Sequence, residues 1–200
     1  MRSSCAAALF ETPEGKTRAE IVDLLSAALQ EDGFQPVRDR NATRSGDRIS
    51  AFIQRLTRAD LVVAVISDKY LRSSYCMHEI HGLWRKSLED ADLMAERLVP
   101  IVLPEVKIED LDQRAPYVRY WKAKEGELRK LHRELGPNLS PESQRELRLV
   151  RGFAQDVDDI LIFLQDVLMP RKLEVHLKDG FQAVREAVRR RMGAESAPPS

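Results

Sequence analysis

Two short apolar runs constrain this chain more than any other feature of its sequence. Residues 61–66 read Leu-Val-Val-Ala-Val-Ile, and residues 98–104 read Leu-Val-Pro-Ile-Val-Leu-Pro. Neither run alternates apolar with polar residues, and β-branched side chains dominate both, so each predicts a strand that is covered on both faces. Such strands belong to parallel sheets connected by helices. The sequence therefore predicts an α/β fold.

Apolar residues recur at helical spacing around these runs. A helix is predicted where Ile21, Leu25 and Leu29 share one face, and Gly33 is expected to end it. Residues 34–37 predict a short strand at a sheet edge, because Pro36 cannot donate to a ladder. Alternating strands and helices imply right-handed crossovers and a doubly wound sheet. Further helices are predicted over residues 49–56 and from Ser73 or Ser74 to Trp84.

The pattern changes after residue 104. Tyr117 and Trp121 begin the apolar face of a helix that should end at Gly136, and Ser140 is placed to cap another that runs to Pro170. Two helices joined by so tight a turn predict an antiparallel hairpin laid against the α/β core. We expect one domain over residues 1–193, with a core of about 1–104 plus 171–193, a helical insertion of about 105–170 and a disordered tail over 194–200.

Charge and cysteine content narrow the classes of function. The chain has 32 Lys and Arg and 32 Asp and Glu among its 200 residues, so it carries no net charge. A neutral chain has no long-range field to favour a nucleic acid or an anionic membrane as a partner. Cys5 and Cys76 are too few for a disulfide framework or a Cys-rich zinc site. We therefore expect a cytoplasmic protein without a metal.

A set of ordered motifs gives the chain a family resemblance. The loop ends in Gly46-Asp47-Arg48-Ile49, the apolar strand ends in Ser67, and Tyr70 to Glu79 follows the pattern Tyr-x-x-Ser-x-aromatic-Cys-x-x-Glu. In this order and spacing the pieces resemble a TIR domain, the Toll/interleukin receptor fold, of bacterial type. The resemblance covers roughly residues 18–104. It implies a flavodoxin-like core of five parallel strands, with the helical hairpin as an insertion.

The resemblance also implies a chemistry. TIR domains with enzymatic activity cleave the bond between nicotinamide and ribose in NAD+, in signalling or innate-immune defence, and Glu79 matches their catalytic glutamate. NAD+ is then the substrate and no further cofactor is needed. Other TIR domains are the implied protein partners, through self-association. The implied substrate-binding residues are Tyr75, Ser73, Ser67, Asp39, Arg44 and Gly46, the last three from a loop over residues 39–46 that would close over the site or reach a neighbouring protomer.

The residues of the predicted third helix fit this role by their spacing. Tyr75 and Glu79 are four apart and so share one helical face. Cys76, Ile80 and Trp84 point elsewhere, toward the sheet, which predicts that the face bearing Glu79 is open. The helix follows the strand that ends at Ser67, which places its first turns at the carboxyl edge of the sheet, where open α/β folds bind ligands.

Other interpretations of the same residues stay open at this point. A glutamate in the first turns of a helix is favoured by the helix dipole alone, and Ser73 serves equally well as a helix cap. His78 and His81 lack the H-E-x-x-H spacing of a zinc site. The alternative function is a TIR module that transmits a signal by protein contacts without catalysis. An alanine-rich segment over residues 5–10 favours this alternative, because it is either a poor first strand or a sign that the true start was altered.

Overall fold

The two apolar runs form the only strands among the residues that the structure describes. The structure is a computed structural model and describes residues 18–36, 61–167 and 173–194. Strands β1 (Val62–Ile66) and β2 (Leu98–Val102) pair in parallel, with Val62 opposite Leu98 and Ile66 opposite Val102. Every residue of both strands is buried. Both runs were predicted as strands of this kind.

Helices make up most of the remaining described residues. No helix in the described ranges is long and apolar enough to cross a membrane. A 3₁₀ turn over Gly136–Asn138 joins the two longest helices. In chain order the helices are α1 (Arg18–Glu31), α2 (Asp68–Arg72), α3 (Ser74–Lys86), α4 (Ala91–Arg97), α5 (Leu111–Leu135), α6 (Pro141–Asp166), α7 (Leu173–Lys178) and α8 (Gln182–Ala194).

The prediction of a flavodoxin-like, doubly wound sheet of five strands is wrong. One sheet of two parallel strands is present in the described part of the chain. Residues 34–36 follow α1 without strand structure, which fits the missing amide hydrogen of Pro36. After β2 the apolar residues recur at helical spacing, so the chain adds helices there instead of strands. The predicted strand over residues 5–10 and the predicted helix over 49–56 lie outside the described residues.

Helices cover both faces of this small sheet. Val62, Ala64 and Ile66 belong to a core shared with α2, α3, α5 and α6. Val63 and Val65 belong to a second core, on the opposite face, shared with α1, α7 and α8. Because successive side chains of a strand point to opposite faces, both sets must be apolar. This two-sided burial is the physical reason why the strand sequence does not alternate.

An ion-pair cluster ties the helices of the second core together. Asp32 follows α1, and its carboxylate accepts a hydrogen bond from Arg185 Nε of α8 at 2.8 Å and another from Arg189 at 2.6 Å. These two guanidinium groups hold the pKa of the Asp32 carboxyl well below its usual range. Arg191, further along α8, donates to the carbonyl oxygen of Leu98 at 3.1 Å. The basic residues of α8 thus connect it to both α1 and β2.

The helices α5 and α6 form an antiparallel hairpin, and α6 also packs on α3. Arg114, near the start of α5, donates to Asp158 at 3.0 Å and to Gln165 at 3.1 Å, both near the end of α6. On the other side of α6, Asp156 Oδ2 accepts a hydrogen bond from His81 Nε2 of α3 at 2.8 Å. Arg85 Nε lies 2.9 Å from the same oxygen. The contact of α3 with α6 therefore includes a polar seam, formed by His81, Arg85 and Asp156.

Helices α3 and α6 approach each other closely at the seam because α6 has a glycine there, Gly152. A Cβ atom at Gly152 would lie 2.8 Å from His81 Cε1 and 3.1 Å from His81 Nε2. The His81 ring also packs edge-on against Phe153, with 5.1 Å between ring centroids. Burial lowers the pKa of His81, although its bond to Asp156 opposes this. His81 therefore lies between α3 and α6 as a neutral imidazole. The positive charge beside the Asp156 carboxylate comes from Arg85.

The first prediction concerns this close approach. We expect Gly152→Ala to destabilise the protein by about 1–3 kcal/mol, because the added methyl group overlaps an imidazole that is hydrogen-bonded to Asp156 and packed on Phe153. Gly126→Ala is the matched control: it lies inside α5 with no atom within 4 Å of the added carbon, so it should gain roughly 0.5–1 kcal/mol from helix propensity. Urea unfolding measures both. Equal stabilisation by the two substitutions would show that the seam has room.

The second prediction concerns pH. Burial lowers the pKa of both His78 and His81 in the folded chain, so the unfolded chain takes up protons first as the pH falls through about 6.5. The contribution of these two histidines to the free energy of unfolding is then complete above that pH and is lost progressively below it. We expect the free energy of unfolding to decline from about pH 7.5 to about pH 5.5, and less steeply in His81→Gln. His132→Gln, on the outer part of the hairpin, is the control. A decline that is identical in wild type and His81→Gln would contradict the assignment.

Candidate functional site

Two serines predicted to bind substrate cap the helices that follow β1. Ser67 is buried, and its Oγ accepts a hydrogen bond from the Tyr70 amide at 3.1 Å, at the start of α2. Ser73 Oγ accepts one from the Cys76 amide at 3.4 Å, at the start of α3. For Ser73, capping was one of the two predicted roles. Each serine fixes the direction in which the chain leaves the carboxyl end of β1.

The structure places Tyr75 and Glu79 one turn apart on α3. Tyr75 is half-buried and packs against the core of this face of the sheet, whereas Glu79 is 3 % exposed. On the helical face that the sequence predicts to be open, Glu79 itself is buried, but Gly82 is half-buried and Lys86 is exposed. Helix α6 lies against another side of α3, where His78 and His81 pack on Phe153.

A hydroxyl group from the preceding helix reaches the Glu79 carboxylate. Tyr70, on α2, is 2 % exposed, and its hydroxyl donates to Glu79 Oε2 at 3.4 Å. The pair brings the first and last residues of the Tyr-to-Glu motif together. A hydrogen bond donated to one carboxylate oxygen selects among the rotamers of the glutamate side chain. The arrangement therefore holds the Glu79 carboxyl group in one orientation beside α2.

The helix that bears Tyr70 is itself held by α5. Trp121 Nε1 donates to the Leu71 carbonyl oxygen and Tyr120 Oη to that of Arg72, both at 2.9 Å. Tyr117 Oη donates to Asp68 Oδ1 at 2.9 Å. Burial, with the Asp68 carboxylate close by, raises the pKa of Tyr117, so its hydroxyl remains a donor. The short helix α2 is thus fixed to the hairpin along most of its length.

The lysine of α5 extends this contact to the start of α3. Lys124 Nζ donates to Ser74 Oγ at 2.6 Å and lies 5.2 Å from the centre of the Trp121 ring. The Arg72 guanidinium lies 4.8 Å from the centre of the Tyr117 ring. Cations over aromatic faces add to the attachment of α2 and α3 to the hairpin.

Three of the predicted site residues lie outside the described residues: Asp39, Arg44 and Gly46, with the rest of the loop over residues 39–46. We also searched for a metal site. The ranges 18–36, 61–167 and 173–194 contain no group of three or more His, Cys, Asp or Glu side chains that could hold a metal ion. Within these ranges His81 instead donates to Asp156. The other four predicted site residues lie within these ranges: Ser67 and Ser73 at the caps of α2 and α3, and Tyr75 and Glu79 on α3.

Sequence reasoning missed two features of this site. The contact of Tyr70 with Glu79 had a signal, because both residues belong to the recognised motif, but their spacing of nine does not place them on one helical face. The contact of His81 with Asp156 joins residues 75 positions apart. Only the packing of α6 on α3 brings that second pair together.

Comparison with known proteins agrees with the motifs. A search of curated proteins finds no match to this sequence. A family model described as the TIR domain matches residues 14–133, which is more than half of the chain and includes β1, β2, α2, α3 and nearly all of α5. The chain is a member of the TIR domain family.

Proposed function

We propose that this TIR domain hydrolyses NAD+ to nicotinamide and an ADP-ribose product, with Glu79 as the catalytic residue, in cytoplasmic signalling or defence. The observation that carries the proposal is the Glu79 carboxylate itself: it matches the family's catalytic position and is held by the Tyr70 hydroxyl near the carboxyl end of β1. Ligands of open α/β folds bind at this edge. Membership of the family supports the proposal but is compatible with other roles, since one fold hosts several functions.

The main requirement of this reaction is a negatively charged group held close to the ribose C1′. The bond between the ribose C1′ and the nicotinamide nitrogen breaks, and its electron pair leaves with the already cationic ring, which becomes neutral. The ribose is left with oxocarbenium character, which a nearby carboxylate stabilises. Water then adds to C1′ and releases one proton. Glu79 would stabilise this charge and orient the ribose hydroxyls.

The other predicted residues would complete the pocket. Tyr75 would offer a ring face to the substrate or wall the pocket, and Ser73 would lie near the ribose while it caps α3. Asp39, Arg44 and Gly46 would act from the loop over residues 39–46, by closing over the pocket or by reaching a second protomer. A pocket completed in this way excludes water and strengthens its electrostatic groups. We therefore propose that activity requires self-association with other TIR domains.

The alternative is a TIR module that works by protein contacts alone. The burial of Glu79 favours it, because a carboxylate that is 3 % exposed and hydrogen-bonded to a buried tyrosine also serves to satisfy that tyrosine. One measurement distinguishes the NAD+ hydrolase from the interaction module: the assembled protein releases nicotinamide from NAD+ only if it is a hydrolase.

The third prediction tests the carboxylate. Glu79→Gln should reduce nicotinamide release from NAD+ by about 100-fold to 1,000-fold, because the isosteric amide cannot stabilise the developing positive charge. Glu96→Gln, on the exposed surface of α4, is the matched control and should retain full activity. Nicotinamide is measured over a wide range of protein concentrations, with a crowding agent present.

Two results would count against the proposal. Wild-type turnover in Glu79→Gln would remove this residue from the mechanism. A wild-type chain that releases no nicotinamide at any concentration, yet still self-associates, would support the interaction module instead. Circular dichroism of each variant shows whether the fold is kept.

A further inference from the structure

The hydrogen bond from the Tyr70 hydroxyl to the Glu79 carboxylate points to a role for Tyr70 in the proposed reaction. We propose that Tyr70 is a positioning residue, which holds the Glu79 carboxylate in the orientation needed for NAD+ cleavage; this inference rests on the proposed function. Tyr70 Oη donates to Glu79 Oε2 at 3.4 Å, and both side chains are buried. Tyr70 acts through Glu79 and is not itself placed against the reacting atoms.

Tyr70 is suited to this role because its own backbone is fixed on both sides. Its amide donates to Ser67 Oγ at 3.1 Å, and its carbonyl oxygen accepts from the Ser73 amide at 3.2 Å. These two bonds are the N-cap and the C-cap bonds of α2, made by Ser67 after β1 and by Ser73 before α3. The backbone of Tyr70 is thus hydrogen-bonded both to Ser67, at the end of β1, and to Ser73, at the start of α3, the helix that carries Glu79.

The hairpin removes the remaining freedom of α2. The carbonyl oxygens of Leu71 and Arg72, the two residues after Tyr70, accept hydrogen bonds from Trp121 and Tyr120. The Asp68 carboxylate, two residues before it, accepts one from Tyr117. A five-residue helix has little stability of its own, so these contacts from α5 determine where the Tyr70 ring lies. Catalytic groups are effective when their supports are fixed in this way.

The physical effect of the hydroxyl is on orientation and charge together. A glutamate side chain rotates about three bonds, and a donor on one carboxylate oxygen selects among its rotamers. A donated hydrogen bond also favours the ionised carboxylate, which is the form that stabilises an oxocarbenium-like ribose. Both effects act on the chemical step more than on substrate binding, so the loss of the hydroxyl should appear in kcat.

The fourth prediction removes this hydroxyl. Tyr70→Phe should lower kcat by about tenfold, the usual worth of a hydrogen bond to a charged group, with KM changed by less than about twofold. Ser87→Ala is the matched control, since it deletes another buried hydroxyl at the opposite end of α3 and should leave kcat unchanged. Thermal unfolding of each variant separates a loss of stability from a loss of rate.

A second substitution tests whether the hydroxyl acts through Glu79. In Glu79→Asp the carboxylate is shortened by one methylene group and withdrawn from Tyr70. Adding Tyr70→Phe to that variant should cost much less than the tenfold seen in the wild-type background, because coupled residues are not additive. Equal losses in both backgrounds would overturn the positioning role.

The remaining outcomes distinguish this inference from the proposed function. Cleavage that depends on Glu79 but keeps full kcat in Tyr70→Phe overturns the positioning role alone. A change confined to KM has the same meaning, because it would place Tyr70 in substrate binding. A wild-type chain that releases no nicotinamide overturns the proposed function and, with it, this inference.

Discussion

The candidate site depends on one hydrogen bond more than on any other, that from Trp121 Nε1 to the Leu71 carbonyl oxygen. Trp121 is fully buried, and its ring packs edge-on against Tyr120 and Phe153, each with 5.1 Å between ring centroids. It therefore connects α5, α6 and the backbone of α2 at one point. Since α2 is too short to be stable alone, the position of Tyr70 depends on a residue 51 positions away.

The same packing sets the electrostatic environment of Glu79. Helix α3 lies between the sheet on one side and the hairpin on the other, so most of its side chains are buried. Water is excluded there, and a hydrogen bond to a carboxylate is stronger than it would be at the surface. The cost of burying Glu79 is offset in part by the Tyr70 hydroxyl. The polar seam of His81 and Asp156 meets the same requirement two residues further along α3, on the opposite side of the helix.

Features that depend on neighbouring residues in the sequence were predictable, whereas contacts between residues far apart in the sequence were not. Strands β1 and β2 were predictable because burial on both faces leaves a local record, an apolar run without alternation. The placement of Tyr75 and Glu79 one turn apart on a helix was predictable from their spacing. The five-stranded sheet was wrong because it came from the family pattern and not from the residues themselves. The packing of α6 on α3 was not predictable, since the contact of His81 with Asp156 joins residues 75 positions apart.

The match to the family model ends at residue 133, within α5, whereas the outer side of α3 is covered by α6, which lies beyond it. Gly152 and Asp156, the residues that allow this contact and satisfy its polar groups, are therefore outside the matched region. That side of α3 carries His78 and His81, which pack on Phe153 of α6. The side that bears Glu79 also carries Tyr75 and Gly82, which are half-buried, and Lys86, which is exposed. We therefore expect a ligand to reach the carboxylate along this second side of α3, which α6 does not cover.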